Sequence, residues 1–204
     1  MDYDRVLKIM KVAERLKCNP RHSWTSTGRR ESVAEHTYRL CLFAWLVGRE
    51  FPECDQEKLM KMCLFHDLGE AVTGDIPCFE KKEADRETEK QAIDTLLSEL
   101  LPWEEEAELR ELFAEMEACV TPEARIFHAL DKMEAVIQHN EAPIATWIPL
   151  EHELQLTYGE KEAGFHPYLR GLRERLKQDS QEKMQKELPE MGKKEQNSER
   201  ETDR

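Results

Sequence analysis

The 204-residue sequence predicts an all-α fold, with one domain over residues 1–178 and a charged, disordered C-terminal tail over 179–204. Three observations carry that expectation. Apolar residues recur at helical spacing, as in His36, Leu40, Phe43 and Val47 at i, i+4, i+7 and i+11. No strand-like alternation of useful length occurs. The last residues are charged and poor in large apolar groups, too polar to build a core.

The first helix is "VLKIMKVAERL", with Val6, Ile9, Met10 and Ala13 expected on its buried side. Residues 19–31, rich in Pro, Gly, Ser and Thr, read as a loop. Ser32 is then an N-cap, and Glu35 completes a capping box for the His36 helix. A further helix carries Leu59, Met62, Cys63 and His66 on one face, and "TGDIP" follows as a turn. Two acidic amphipathic helices are expected near 83–101 and 103–118, separated at Pro102. Pro122 opens the next, whose stripe is Ile126, Leu130, Met133 and Ile137. Helices near 147–158 and 167–178 complete the domain.

Charge narrows the partners. The net charge is -13, of which residues 177–204, with seven basic and eight acidic side chains, supply only -1. The folded part is therefore strongly acidic. It should repel a nucleic acid polymer or an anionic membrane, since phosphate binding relies on clustered Lys and Arg. A small anionic substrate remains open, because one local base outweighs a distant acidic face. The six cysteines form no C-x-x-C pair, which suits reduced thiols in a cytoplasmic protein. The charged start of the chain lacks the apolar core of a signal peptide, and no later run could span a membrane.

The chemistry lies in polar residues placed on apolar stripes. His36, the pair His66 and Asp67, and Asp131 each interrupt a core-forming helix. A single buried histidine is usually hydrogen-bonded, and a single acid usually marks the edge of a polar face. Three helices that each turn such a group inward are harder to explain separately, because a buried unpaired charge costs several kcal/mol. A shared divalent cation would satisfy them together. Two imidazoles and two carboxylates suit Mn, Co, Ni, Fe or Zn with positions left open to water.

The segments "RRESVAEHTYRL", "HDLGEAVTGDIP" and "ALDKMEAVIQ" resemble the HD-domain metal-dependent phosphohydrolases, whose pattern is H…HD…D. The match is nearer to the group that includes 5'-deoxynucleotidases, and it covers roughly residues 5–175. The resemblance implies the helical HD fold, a homodimer, and hydrolysis of nucleoside 5'-monophosphates to nucleoside and phosphate. It implies His36, His66, Asp67 and Asp131 as ligands of one divalent metal ion. It places Glu70 and Asp75 as catalytic acids near the attacking water and the phosphate, and Arg21 on the substrate phosphate. Where some deoxynucleotidases carry tryptophan after that arginine, this chain has His22, with Trp24 two positions on. Both are candidates for the substrate's sugar, and Arg30 is a second candidate for the phosphate. The only histidine between Asp67 and Asp131 is His128, which favours a mononuclear site. Hydrolysis of nucleoside triphosphates or alarmones, and a non-catalytic HD ligand-sensing module, are the alternatives.

Overall fold

The computed structural model describes residues 2–202 along the backbone and 2–189 in side-chain detail. Helix α2 (Val33–Val47), helix α3 (Gln56–Phe65) and helix α7 (Pro122–Glu141) pack against one another and enclose the core. Leu40, Ala44, Leu59, Met62, Cys63, Ile126, Leu130 and Met133 are all fully buried there. These are the residues at helical spacing in the sequence, so one stripe per helix accounts for the packing. The expected capping box is present: Ser32 caps Glu35 N–H, and Glu35 reaches back to Ser32 N–H at 2.9 Å. That cap sets where α2 begins, and so which face His36 shares with Leu40.

The acidic helices α5 (Glu83–Leu100) and α6 (Trp103–Ala118) pair and close one side, with Leu96, Leu97, Leu109 and Leu112 turned inward. The short helices α8 (Pro149–Thr157) and α9 (Glu160–Ala163) lie between α7 and the final helix α10 (Pro167–Thr202). Buried Arg173 ties them together by donating to the carbonyls of Gln155 and Tyr158.

Four features depart from expectation. Residues 20–32 form an antiparallel hairpin, β1 (Pro20–Trp24) and β2 (Arg30–Ser32), rather than a loop. Its strands are too short and irregular to show alternation. Helix α1 (Tyr3–Cys18) leaves Val6 and Met10 exposed, and its buried residue is Leu16 instead. Helix α3 stops at Phe65, so His66 to Gly69 is a tight turn before the short α4 (Glu70–Thr73). There the N–H groups of Leu68 and Glu70 bond three residues back, to Phe65 and Asp67. A side chain at Gly69 would strike Ile93 of α5, so only glycine permits the approach.

The fourth is at the tail. Helix α10 continues through the expected boundary at 178: Ser180 is fully buried and donates to Asn140, and Glu187 accepts from Ile144 N–H. The side chains of 190–204, where the rest of the tail expectation falls, lie outside the described residues. Among the described residues no helix is long and apolar enough to cross a membrane.

Candidate metal centre and active site

Three core elements converge on one point. Helix α2 brings in His36, the turn after α3 brings His66 and Asp67, and α7 brings Asp131. One ligand atom each from His36, His66 and Asp67 lie within 4.8 Å of one another. Asp131 Oδ1 is 3.1 Å from His36 Nε2 and 3.8 Å from His66 Nε2. His66 Nε2 is 3.0 Å from Asp67 Oδ2, yet the two lack hydrogen-bond geometry and both are buried without a partner. Both atoms are thus free to serve a cation held among these side chains.

The outer ring nitrogens fix the imidazoles. His66 Nδ1 lies 2.9 Å from the Cys63 carbonyl and therefore donates to it, which leaves Nε2 with a lone pair facing the site. His36 Nδ1 lies 2.5 Å from Glu134 Oε2. Glu134 was not singled out in the sequence, although its position three residues after Asp131 puts it on the same inward face of α7. Glu31, also not singled out, is 1% exposed and pairs with Arg21 at 3.4 Å. Arg39 lies 3.4 Å from the other oxygen of Glu134. A carboxylate behind a ligating imidazole is the usual support of a metal site.

The protein's own charges set the protonation of these groups. Burial and Arg21 both oppose a charge on His36, but hydrogen bonds to Asp131 and Glu134 raise its pKa to about 10. A cation that takes His36 Nε2 as a donor must displace that proton, which ties its binding to pH. Burial opposes the charge on Asp67, and His66, His36 and Arg21 together hold its carboxyl well below the ordinary range. Glu70 moves the other way: burial, then the charges of Asp67 and Asp75, push it up to about 9. Burial also raises Asp75, against Arg21. A divalent charge at the shared point would reverse the shift on Glu70 and favour its carboxylate.

These groups open into a cavity of about 1030 Å³. His66, Asp67, Asp131, Glu70, Asp75 and Arg21 all line it. Arg21 is largely buried, with Nη1 3.5 Å from Asp67. His22 lines the cavity beside it, against Phe79. Trp24, expected near the sugar, is not among the lining residues. Its ring lies under the Arg30 guanidinium at 4.3 Å, and its carbonyl accepts from Gln138. That contact also occupies Arg30, which donates to the His22 carbonyl and does not line the cavity. His128 Nε2 is bonded to the Met116 carbonyl at 2.8 Å, so it contributes nothing to a second metal beside the first.

Residues 13–173 match the HD-domain family. The chain belongs to that family. It is 34% identical over 145 residues to a 5'-deoxynucleotidase of Dictyostelium discoideum, covering 66% of this chain and 76% of that protein. A 5'-deoxynucleotidase of Danio rerio is 30% identical over 180 residues, covering 86% and 88% respectively. Among solved structures, a conserved hypothetical protein from Pyrococcus furiosus aligns with a TM-score of 0.64 and 27% identity, over 84% of this chain and 99% of that one. A protein from Magnetospirillum magnetotacticum MS-1, described as a predicted metal-dependent phosphohydrolase, has the same fold, with a TM-score of 0.75 at 24% identity and coverage of 88% and 93%. The matched HD region spans every element that supplies the convergent side chains.

The role of Glu134 is open to direct measurement. Glu134→Gln keeps the shape but removes the charge behind His36, and is expected to weaken Mn²⁺ binding about 10- to 100-fold by isothermal titration calorimetry. Unchanged affinity in a variant of unaltered helicity would show that Glu134 does not support the site.

Proposed function

We propose that this HD-domain chain is a metal-dependent phosphoric monoester hydrolase that releases phosphate from (deoxy)nucleoside 5'-monophosphates. The observation that carries this reading is the pair of buried atoms without a hydrogen bond, His66 Nε2 and Asp67 Oδ2, which converge with His36 and Asp131 beside a nucleotide-sized cavity. His36, His66, Asp67 and Asp131 would hold one divalent transition-metal ion, from among Mn, Co, Ni, Fe and Zn. Such an ion supplies Lewis acidity to a water and a phosphate oxygen when bound. The relatives named 5'-deoxynucleotidases support the monophosphate substrate and a deoxyribose sugar.

The chain's own residues do the rest. Glu70 Oε2 is buried without a hydrogen-bond partner, so it can accept the proton of the attacking water without breaking an internal bond. Arg21 offers its planar fork of donors to the phosphate. Asp75, on the same wall, serves the departing sugar oxygen. Water adds its oxygen to phosphorus, the bond from phosphorus to the 5'-oxygen breaks, and that oxygen leaves with a proton as the nucleoside alcohol.

The other Lys and Arg side chains on the cavity wall lie beside carboxylates: Lys81 with Glu89, Lys90 with Glu117, Arg110 with Glu106, Lys132 with Glu162, and, more loosely at 3.8 Å, Arg86 with Glu83. That leaves little free positive charge for a polyphosphate and favours a single phosphate group. The cysteines are all unpaired, which suits the cytoplasm.

A homodimer belongs to the same proposal. Tyr38, Leu42, Trp45 and Leu46 form a stripe on the outer face of α2, and are 70, 47, 52 and 55% exposed. A second copy presenting the same stripe across a two-fold axis would cover both.

Two measurements test these readings. Phosphate release from deoxy- and ribonucleoside mono- and triphosphates is followed with each metal in turn. Glu70→Gln is expected to lower kcat for monophosphates by about 10²- to 10⁴-fold with little change in KM, and an unchanged kcat would remove Glu70 from the chemistry. For the dimer, light scattering should give twice the 24.0 kDa chain mass for wild type and the single mass for Leu42→Asp/Trp45→Asp. A wild-type monomer would refute the proposed interface.

A further inference from the structure

A second constellation lines the same cavity and takes no part in the chemistry above. Strand β1 contributes His22, the last turn of α7 contributes His139, and the first turn of α8 contributes Glu151. His139 Nε2 lies 2.7 Å from Glu151 Oε1, and His22 Nε2 lies 2.9 Å from the same oxygen. One donor atom from each residue lies within 4.8 Å of the other two.

The outer atoms of the set are held by the backbone. His139 Nδ1 is 2.9 Å from the Ala135 carbonyl and donates to it, so Nε2, hydrogen-bonded to Glu151 Oε1, is the ring atom a cation would take once the proton between Nε2 and Oε1 is displaced. Glu151 Oε2 accepts from Ile148 N–H at 2.7 Å, which aims Oε1 at the two imidazoles. Trp147 Nε1 donates to the His139 carbonyl and steadies the turn. His22 Nε2 is buried and close to Glu151, yet lacks hydrogen-bond geometry. His66 Nε2 and Asp67 Oδ2 show the same signature in the first site. A lone pair facing a carboxylate oxygen is repulsive unless a proton or a metal cation lies between them.

We propose that His22, His139 and Glu151 form a second transition-metal site, a two-histidine, one-carboxylate set that leaves positions open toward the cavity. The donors suit Zn²⁺, Co²⁺ or Ni²⁺ better than Mg²⁺ or Ca²⁺, which take oxygen ligands. The two sites are separate. Asp131 and His139 lie eight residues apart on α7, about 12 Å of helix rise. An ion here would face the substrate cavity from another wall and could take a sugar hydroxyl or a base nitrogen as a further ligand.

Equilibrium dialysis of the full chain against low-micromolar Zn²⁺, with protein-bound metal counted by mass spectrometry, tests the proposal independently of activity. Wild type is expected to hold two equivalents. His139→Ala, His22→Phe and Glu151→Gln should each retain one, with at least tenfold weaker binding of the second. His36→Ala, which removes a ligand of the first site, should still bind at the second. His22→Phe sits on the cavity wall and guards against loss of folding in the His139 variant, and circular dichroism confirms helicity in each. A single equivalent in wild type that is lost in His36→Ala would overturn the second site and leave the first standing. A second equivalent that persists in all three variants would be surface binding, and would overturn it equally.

Discussion

Burial of like-charged groups around His36 is the constraint on which this molecule turns. His36, Glu31, Glu70 and Glu134 are almost inaccessible, and Asp67 and Asp131 stand beside them. Among the described residues, Arg21 and Arg39 are the cations that pair with this set. Carboxylates taken out of water repel one another and lose hydration, at a cost that packing alone does not repay. Protons on His36 and Glu70 are one answer, and the raised pKa values of both record it. A divalent cation is the better one, because it replaces a proton and completes the atoms that have no partner.

The apolar core sets the geometry of that arrangement. Helices α2, α3 and α7 meet through Leu40, Leu59, Met62, Leu130 and Met133, all fully buried, and this packing sets the relative positions of three backbones. Each backbone then presents one polar side chain where an apolar one would otherwise sit. The candidate ligand set is thus preorganised by packing and needs no mobile loop to assemble it. The tight turn from His66 to Gly69 adds Glu70 to the same wall, and the close approach of α5 at Gly69 holds that turn in place. The acidic surface has no part in this, and a chain of net charge -13 still places one deep arginine, Arg21, on the cavity wall.

The convergence of His36, His66, Asp67 and Asp131 was legible in the sequence because helices translate spacing directly into direction. His36, four residues before Leu40, shares that residue's inward face, and Asp131, next to Leu130, lies at the edge of its stripe and faces the cavity. The capping box at Ser32 and the two acidic helices were equally local and were found. The hairpin was missed, since five- and three-residue strands show no period. Glu134 escaped notice because a glutamate on an amphipathic helix reads as surface until its partner, His36, is known. Trp24 was placed by its position in a motif, whereas its contact with Arg30 depends on the hairpin. The set of His22, His139 and Glu151 comes from three elements distant in sequence, and no spacing rule joins them.

The central claim is that His36, His66, Asp67 and Asp131 surround a cation. Crystals grown with millimolar Mn²⁺ and measured at the manganese absorption edge test it most directly. The expected result is an anomalous peak bounded by Nε2 of both histidines and the carboxylates of both aspartates. Well-ordered side chains with no peak among them, or a peak elsewhere alone, would contradict it.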